Sequence, residues 1–318
     1  MAAFTWKRVL PSGDLTVTAG QIPDDWLSHI NTAVTGSSGD ADAYWEVANY
    51  SATSPKSVLL RPKDGSPGRI IIFGENGQAG ASASVRNTST SALFIAFSAS
   101  STANTPDANW TTSAPLSATD YMLAVPMWQI TASTTFRLTY FDSPAGMYFC
   151  ITLGTATGMA AAGAGWLVED HMGNFLPFIL GTGTQALPTD PFSQNTSSNV
   201  LPGLVSTNTT TATVNRMLVR VDGFDETVWR IFAALSTSYN KMRDSTNKRA
   251  FFFPIYLAYG TNDIRKTVAG KLRQVAFGPT TIRESSFEST ASPSVYAYGH
   301  AYHNAANVVG MWFTNFEV

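Results

Sequence analysis

The sequence predicts a mainly β protein: antiparallel sandwich- or barrel-like lobes carrying two short helices and long polar loops. Three observations predict it. Short runs rich in Val, Ile, Phe, Tyr and Trp recur along the 318 residues, bounded by Gly, Pro, Asn or Ser. Only two stretches place their apolar residues at helical spacing. Two Ser/Thr/Asn-rich segments, 98–118 and 181–215, interrupt the strand pattern. Many short strands with turn signals between them argue for sheets closed on one another rather than for a wound α/β fold.

Taken in order, IPDDW (22–26) opens the first helix. Proline stands in its first turn, acids face the positive end of the dipole, and Trp26, Leu27, Ile30 and Val34 form one stripe. Strands follow at 44–50, 58–61 and 69–74. The last two are joined by KDGSPG (63–68), whose glycines supply positive φ and whose proline fixes φ. Further strands are expected at 93–97, 121–125, 135–141, 147–153 and 166–168. The Gly/Ala-rich stretch before Trp166 reads as a loop. Strands at 216–221, 251–259, 271–277 and 311–316 complete the set. The second helix is expected from DETV (225–228), with Val228, Ile231, Phe232 and Leu235 on one face. The organisation is therefore an N-terminal arm and helix (1–37), a first β lobe (38–180), a polar linker or long loop (181–214) and a second β lobe (215–318).

Chemistry-bearing motifs are few. YAYGHAYHN (296–304) holds two of the four histidines. In a strand, His300 and His303 point to opposite faces and cannot grip one ion; only a helix would bring them together. Tyr-Ala-Tyr-Gly is poor helix material, so the motif reads as sheet. GTGTQA (181–186) has glycine spacing like that of a dinucleotide loop. The following LPTDP stops the helix such a site requires, and no acid stands about 20 residues on. No Walker A loop or GxSxG elbow is present. Asp40–Ala41–Asp42 lacks the third ligand and turn glycine of a calcium loop. Glu169–Asp170 reads as a turn and Asp225–Glu226 as a helix start. A single cysteine, Cys150, excludes an intrachain disulfide and lies in an apolar run, as a buried inert thiol does. The expectation is a protein that is not an enzyme and takes no cofactor or metal.

Charged residues make up 13% and the net charge is −2, which gives no global attraction to nucleic acid or to an anionic membrane. The N-terminus lacks the apolar core of a secretory signal. The uncharged stretch 143–168 is too rich in glycine and threonine for a spanning helix, so a soluble protein is expected. Residues 241–273 hold eight basic residues against two acids, a local +6. Lys241, Arg243, Lys248, Arg249, Arg265 and Lys266 are the candidate interface on a hairpin rim, where they could meet acids of a neighbouring subunit.

The order YWEVANYS (44–51), SVLLRPKDGSPGRIIIFGENG (57–77), FFFPIYLAYGTND (251–263) and AGKLRQVAFGPT (269–280) resembles structural virion proteins of tailed bacteriophages. The resemblance covers about half the chain and rests on strand-and-turn pieces, with no catalytic residue to carry over. It implies an accessory component of the tail, baseplate, neck or head surface, located in the virion. Its partners would be other virion proteins and further copies of itself in a homo-oligomer. Low charge suits that role, because it reduces the desolvation cost of burying large areas between copies. The alternative is a carbohydrate-binding or carbohydrate-degrading protein used for host attachment. A secreted adhesin would need an export signal.

Overall fold

The computed structural model describes residues 4–9, 15–17, 22–52, 57–76, 91–99, 122–130, 134–153, 158–181, 218–221, 230–232, 243–244, 249–250, 252–259, 267–278, 284–288, 295–304 and 307–315. Its elements are β1 (Lys7–Val9), β2 (Leu15–Val17), α1 (Ile22–Ser38), β3 (Trp45–Ser51), β4 (Ser57–Pro62), β5 (Arg69–Asn76), β6 (Ser91–Ser98) and β7 (Met122–Ile130). Then come β8 (Thr134–Ser143), β9 (Gly146–Leu153), β10 (Gly158–Glu169), β11 (Phe175–Gly181), β12 (Leu218–Val221), β13 (Arg230–Phe232), β14 (Arg243–Asp244) and β15 (Arg249–Ala250). The chain finishes with β16 (Phe253–Tyr259), β17 (Thr267–Gly278), β18 (Glu284–Glu288), β19 (Val295–Asn304) and β20 (Asn307–Thr314).

The chain is mainly β, and the pairings among these strands are antiparallel. Strands β3 to β7 form a five-stranded meander in sequence order. A 13-stranded sheet, curled into a half-barrel, follows the order β1-β8-β9-β10-β17-β20-β19-β18. Strands β11 and β12 branch from β10, β16 and β13 branch from β17, and β2 adds to β8. This sheet draws on both sides of the segment 181–214. Strands assigned by sequence to separate lobes share it, through the Val168↔Leu272 and Glu169↔Lys271 pairs.

The principal core lies between the meander, α1 and one face of β8 to β10. Val58 and Leu60, Ile70 and Ile72, and Ile95 and Phe97 alternate onto it from three neighbouring strands. Trp26, Leu27, Ile30 and Val34, the stripe legible in the sequence, cover them from α1, each no more than 1% exposed. Leu138, Tyr140, Met147 and Phe149 close it from the larger sheet. The opposite face of β8 and β9 builds a second, aromatic cluster. Phe141 stacks on Phe313 at 3.7 Å, and Trp6 meets Tyr148 and Phe313 edge to face. Thus residues 138–143 of β8 and 147–149 of β9 are buried on both sides. The Lys63 ammonium caps the C-terminal end of α1, donating to the carbonyls of Ser38 (2.8 Å) and Asp40 (3.1 Å).

Two expectations are corrected. The helix expected at 225–235 gives way to strand at Arg230–Phe232, which pairs with Tyr256, Leu257 and Ala258 of β16. The β-branched and aromatic side chains there suit either reading locally, and the available sheet partner decides. α1 is the one helix among the described residues. The Gly/Ala-rich stretch read as a loop is, from Gly158 on, strand β10. Its small residues answer crowding: a Cβ on Gly163 would lie 2.5 Å from Tyr148 Cδ1.

Strand β17 bends where it changes partner, from β10 at Leu272 to β20 at Val275. Gln274 sits at the bend with φ +50°, unusual for a residue with a side chain. Its carboxamide holds the N-terminal segment. The Oε1 accepts from Phe4 N (2.6 Å), and the Nε2 donates to the carbonyls of Phe4 and Thr314. The Trp6 indole donates to the Gln274 carbonyl at 3.0 Å. Gln274→Ala is expected to cost about 2–3 kcal/mol, from three lost hydrogen bonds, one to the buried Thr314 carbonyl and two to the half-buried Phe4 backbone. Hydrogen exchange should quicken selectively at residues 4–9; uniform protection there would contradict the clamp.

Candidate functional site

Of the candidate interface residues, Arg243 and Arg249 fall on β14 and β15. These form an isolated antiparallel pair in which Asp244 stands opposite Arg249. Lys241, Lys248, Arg265 and Lys266 lie outside the described residues. The HAYH motif is strand, as expected: His300 pairs with Glu284 on β18 and Met311 on β20, and His303 with Val308. The dinucleotide-like loop lies outside the described residues beyond Gly181, as do the acids Asp225 and Glu226. Glu169–Asp170 opens the turn between β10 and β11, where Asp170 Oδ1 accepts from Met172 N and Asn174 N, both at 2.8 Å. Among the described residues no three His, Cys, Asp or Glu side chains gather to hold a metal ion. No helix among them is long and apolar enough to cross a membrane.

The structure brings together a different set of residues. Where the meander meets the larger sheet, a cleft of about 800 Å³ opens, within the size range of small-ligand sites. Ala43, Tyr44 and Trp45 reach it from the start of β3, and the β4–β5 turn contributes Lys63, Asp64 and Ser66. The β10–β11 hairpin adds Trp166, Asn174 and Phe175, while Phe4 and Arg273 complete the wall.

Each aromatic wall is fixed from behind. The Trp45 indole donates to the Ser143 carbonyl at 2.8 Å. The Trp166 indole donates to the Pro67 carbonyl at 3.3 Å, and its ring meets Phe97 edge to face at 5.5 Å. Arg273, only 8% exposed, lays its guanidinium 3.9 Å from the Phe175 ring centre and 4.8 Å from that of Phe4. It also donates to the Trp166 carbonyl at 3.1 Å. A charge so enclosed keeps its cost down through the facing π clouds and the carbonyl. Asn174 is tethered through its Nδ2 to Asp170 Oδ2 at 3.1 Å. The Asp64 carboxylate accepts from Ser66 N at 2.9 Å, and that turn holds its carboxyl below the usual carboxylate range.

Directly behind the cleft lies Asp142, 1% exposed and not among the lining residues. Its Oδ2 accepts from Tyr44 N (3.0 Å) and Trp45 N (3.4 Å), joining β8 to the start of β3. Its Oδ1 has no partner among the described residues. Burial pushes this carboxyl up to about 7, against the pull of the two backbone N–H groups and the Lys7 charge. Lys7 itself bridges Asp40 (2.6 Å) and Asp42 (2.8 Å) at the surface.

Sequence reasoning missed this cleft because its walls come from segments spread between Phe4 and Arg273, with no local spacing to betray them. The only local trace is that Arg273 and Asp142 stand next to strand-forming apolar residues, Leu272 and Phe141. Chemically the cleft offers aromatic surface ringed by an ammonium, a carboxylate, a hydroxyl and an amide. Compared with models of known protein families and with curated proteins, the chain matches none.

Proposed function

We propose that the chain is a non-enzymatic structural component of a tailed-bacteriophage virion, working through contacts between subunits. The observation that carries this reading is the outer edge of the meander. Among the described residues β3 pairs only with β4, and Ala48, Asn49 and Tyr50 are all exposed along it. An unpaired strand edge is a template for another chain. A bulge between Val47 and Asn49 interrupts this one, a feature that discourages indiscriminate pairing. Met172 at the β10–β11 hairpin tip, 73% exposed, adds apolar contact surface on a rigid support. The low charge content and the stretches resembling virion proteins, which fall on β3, β4, β5, β16 and β17, agree with an assembly role.

The test is particle assembly without the chain. Missing density in electron micrographs or failure to assemble is the expected result, and intact particles of unchanged composition overturn the proposal. Charging the edge is a finer probe. Ala48→Lys combined with Tyr50→Lys should leave the melting temperature nearly unchanged and weaken association with the neighbouring subunit about tenfold, about 1.4 kcal/mol. Analytical ultracentrifugation and incorporation into particles would measure it.

A further inference from the structure

We infer that the cleft between the two sheets is a binding site for an uncharged sugar ring of a glycan, independent of any contact the chain makes in an assembly. Three properties converge on that ligand. Tyr44, Trp166 and Phe175 are each half-buried and all line the cleft. The negative face of an aromatic ring attracts the weakly positive C–H face of a pyranose. Around these rings stand Lys63, Asp64, Ser66 and Asn174, a set that both donates and accepts hydrogen bonds, as sugar hydroxyls do.

Competing ligands fit less well. A phosphate or nucleotide would meet the Asp64 carboxylate, held ionised by its own turn, in the cleft lining. A purely apolar ligand would strip water from Asp64, Asn174 and Lys63 without replacing their hydrogen bonds. The third property is rigidity. Trp166 is held by Pro67 and Phe97, Phe175 by the Arg273 guanidinium, and Asn174 by Asp170. Walls already in place lose little freedom on binding.

The experiment titrates the full chain with methyl glycosides of glucose, galactose, mannose and N-acetylglucosamine, and with oligosaccharides of each. Tryptophan fluorescence and NMR line shifts serve as readouts. Saturable binding is expected for at least one sugar, with a dissociation constant near the millimolar range for a single ring and tighter for an oligosaccharide. Tyr44→Ala and Asn174→Ala should each weaken it at least fivefold. Trp166→Ala should abolish it, but removes the Phe97 contact too, so its folding is checked by circular dichroism. The Tyr44 and Asn174 variants carry the decision if it fails to fold. No saturation by any probe at tens of millimolar overturns the inference, as does binding that is equal in the wild type and the Tyr44→Ala variant.

Discussion

Gly165→Ala is expected to lower the unfolding free energy by about 4 kcal/mol, among the largest effects a single methyl group can have here. Gly165 and Gly146 stand directly opposite one another in the β9–β10 pair, with φ of +140° and +152°. Neither value suits a residue with a side chain, and adopting it costs about 1–3 kcal/mol. Sterics add to this. A Cβ on Gly165 would stand 2.3 Å from the Ala145 carbonyl oxygen and 2.5 Å from Gly146 Cα, backbone atoms that cannot rotate away. Relief would require parting the strands where Trp166 N donates to the Ala145 carbonyl at 2.6 Å. The register shift between Gly165 and Val168 would also be disturbed, and with it the position of Trp166 in the cleft. At roughly 2 °C per kcal/mol for a chain of this size, the melting temperature should fall by about 8 °C. Gly173→Ala is the control. Its φ is +77°, but a Cβ there meets nothing within 4 Å, so only the conformational cost of about 1 kcal/mol applies. If the two variants melt together, the close approach of β9 and β10 is wrong.

The same pair of strands shows what the sequence could and could not say. The β4–β5 hairpin and α1 were legible because their causes are local. KDGSPG sets the turn, with Gly65 and Gly68 at positive φ, and the α1 stripe is buried as its spacing requires. The strand nature of residues 158–165 was not legible, since Gly163 is dictated by Tyr148 on the facing strand and Gly165 by Ala145 in the turn before it. The 225–235 segment failed differently. Ile231 and Phe232 satisfy a helical spacing, yet β16 offers them a sheet edge, and a strand of three residues leaves no alternating pattern long enough to read. HAYH succeeded because the argument rested on what a strand forbids. The cleft was hidden for a geometric reason: Tyr44, Trp166 and Arg273 become neighbours only once β10 pairs with β17 and the meander folds against β10.

Asp142→Asn is expected to flatten the dependence of stability on pH between about 4 and 7, and to make the protein more stable than wild type at pH 8. The carboxyl sits near 3.8 in the unfolded chain and about 7 in the fold, where burial outweighs the N–H groups of Tyr44 and Trp45 and the charge of Lys7, with Asp42 adding to the upward push. Between those values the folded protein binds a proton that the unfolded chain has released. Stability is therefore fully present below the unfolded value and is lost as pH rises through the folded one. The difference of about three pH units corresponds to at most about 4 kcal/mol. Asparagine keeps an acceptor for the two N–H groups and carries no charge at any pH, so it resembles the protonated acid. The wild type and variant should accordingly coincide near pH 4 and separate steadily above it. Asp42 and Asp64 are held below the usual range by hydrogen bonds, so their contributions have the opposite sign and change only below about pH 4, outside this window. Urea denaturation of both proteins from pH 4 to 8 measures the effect. Parallel curves would mean that Asp142 is ionised throughout, with a charged partner at Oδ1. Converging curves at low pH would mean that the joint between β8 and β3 holds a neutral acid, loosened as it ionises, beside the backbone that sets Tyr44 and Trp45 in the cleft.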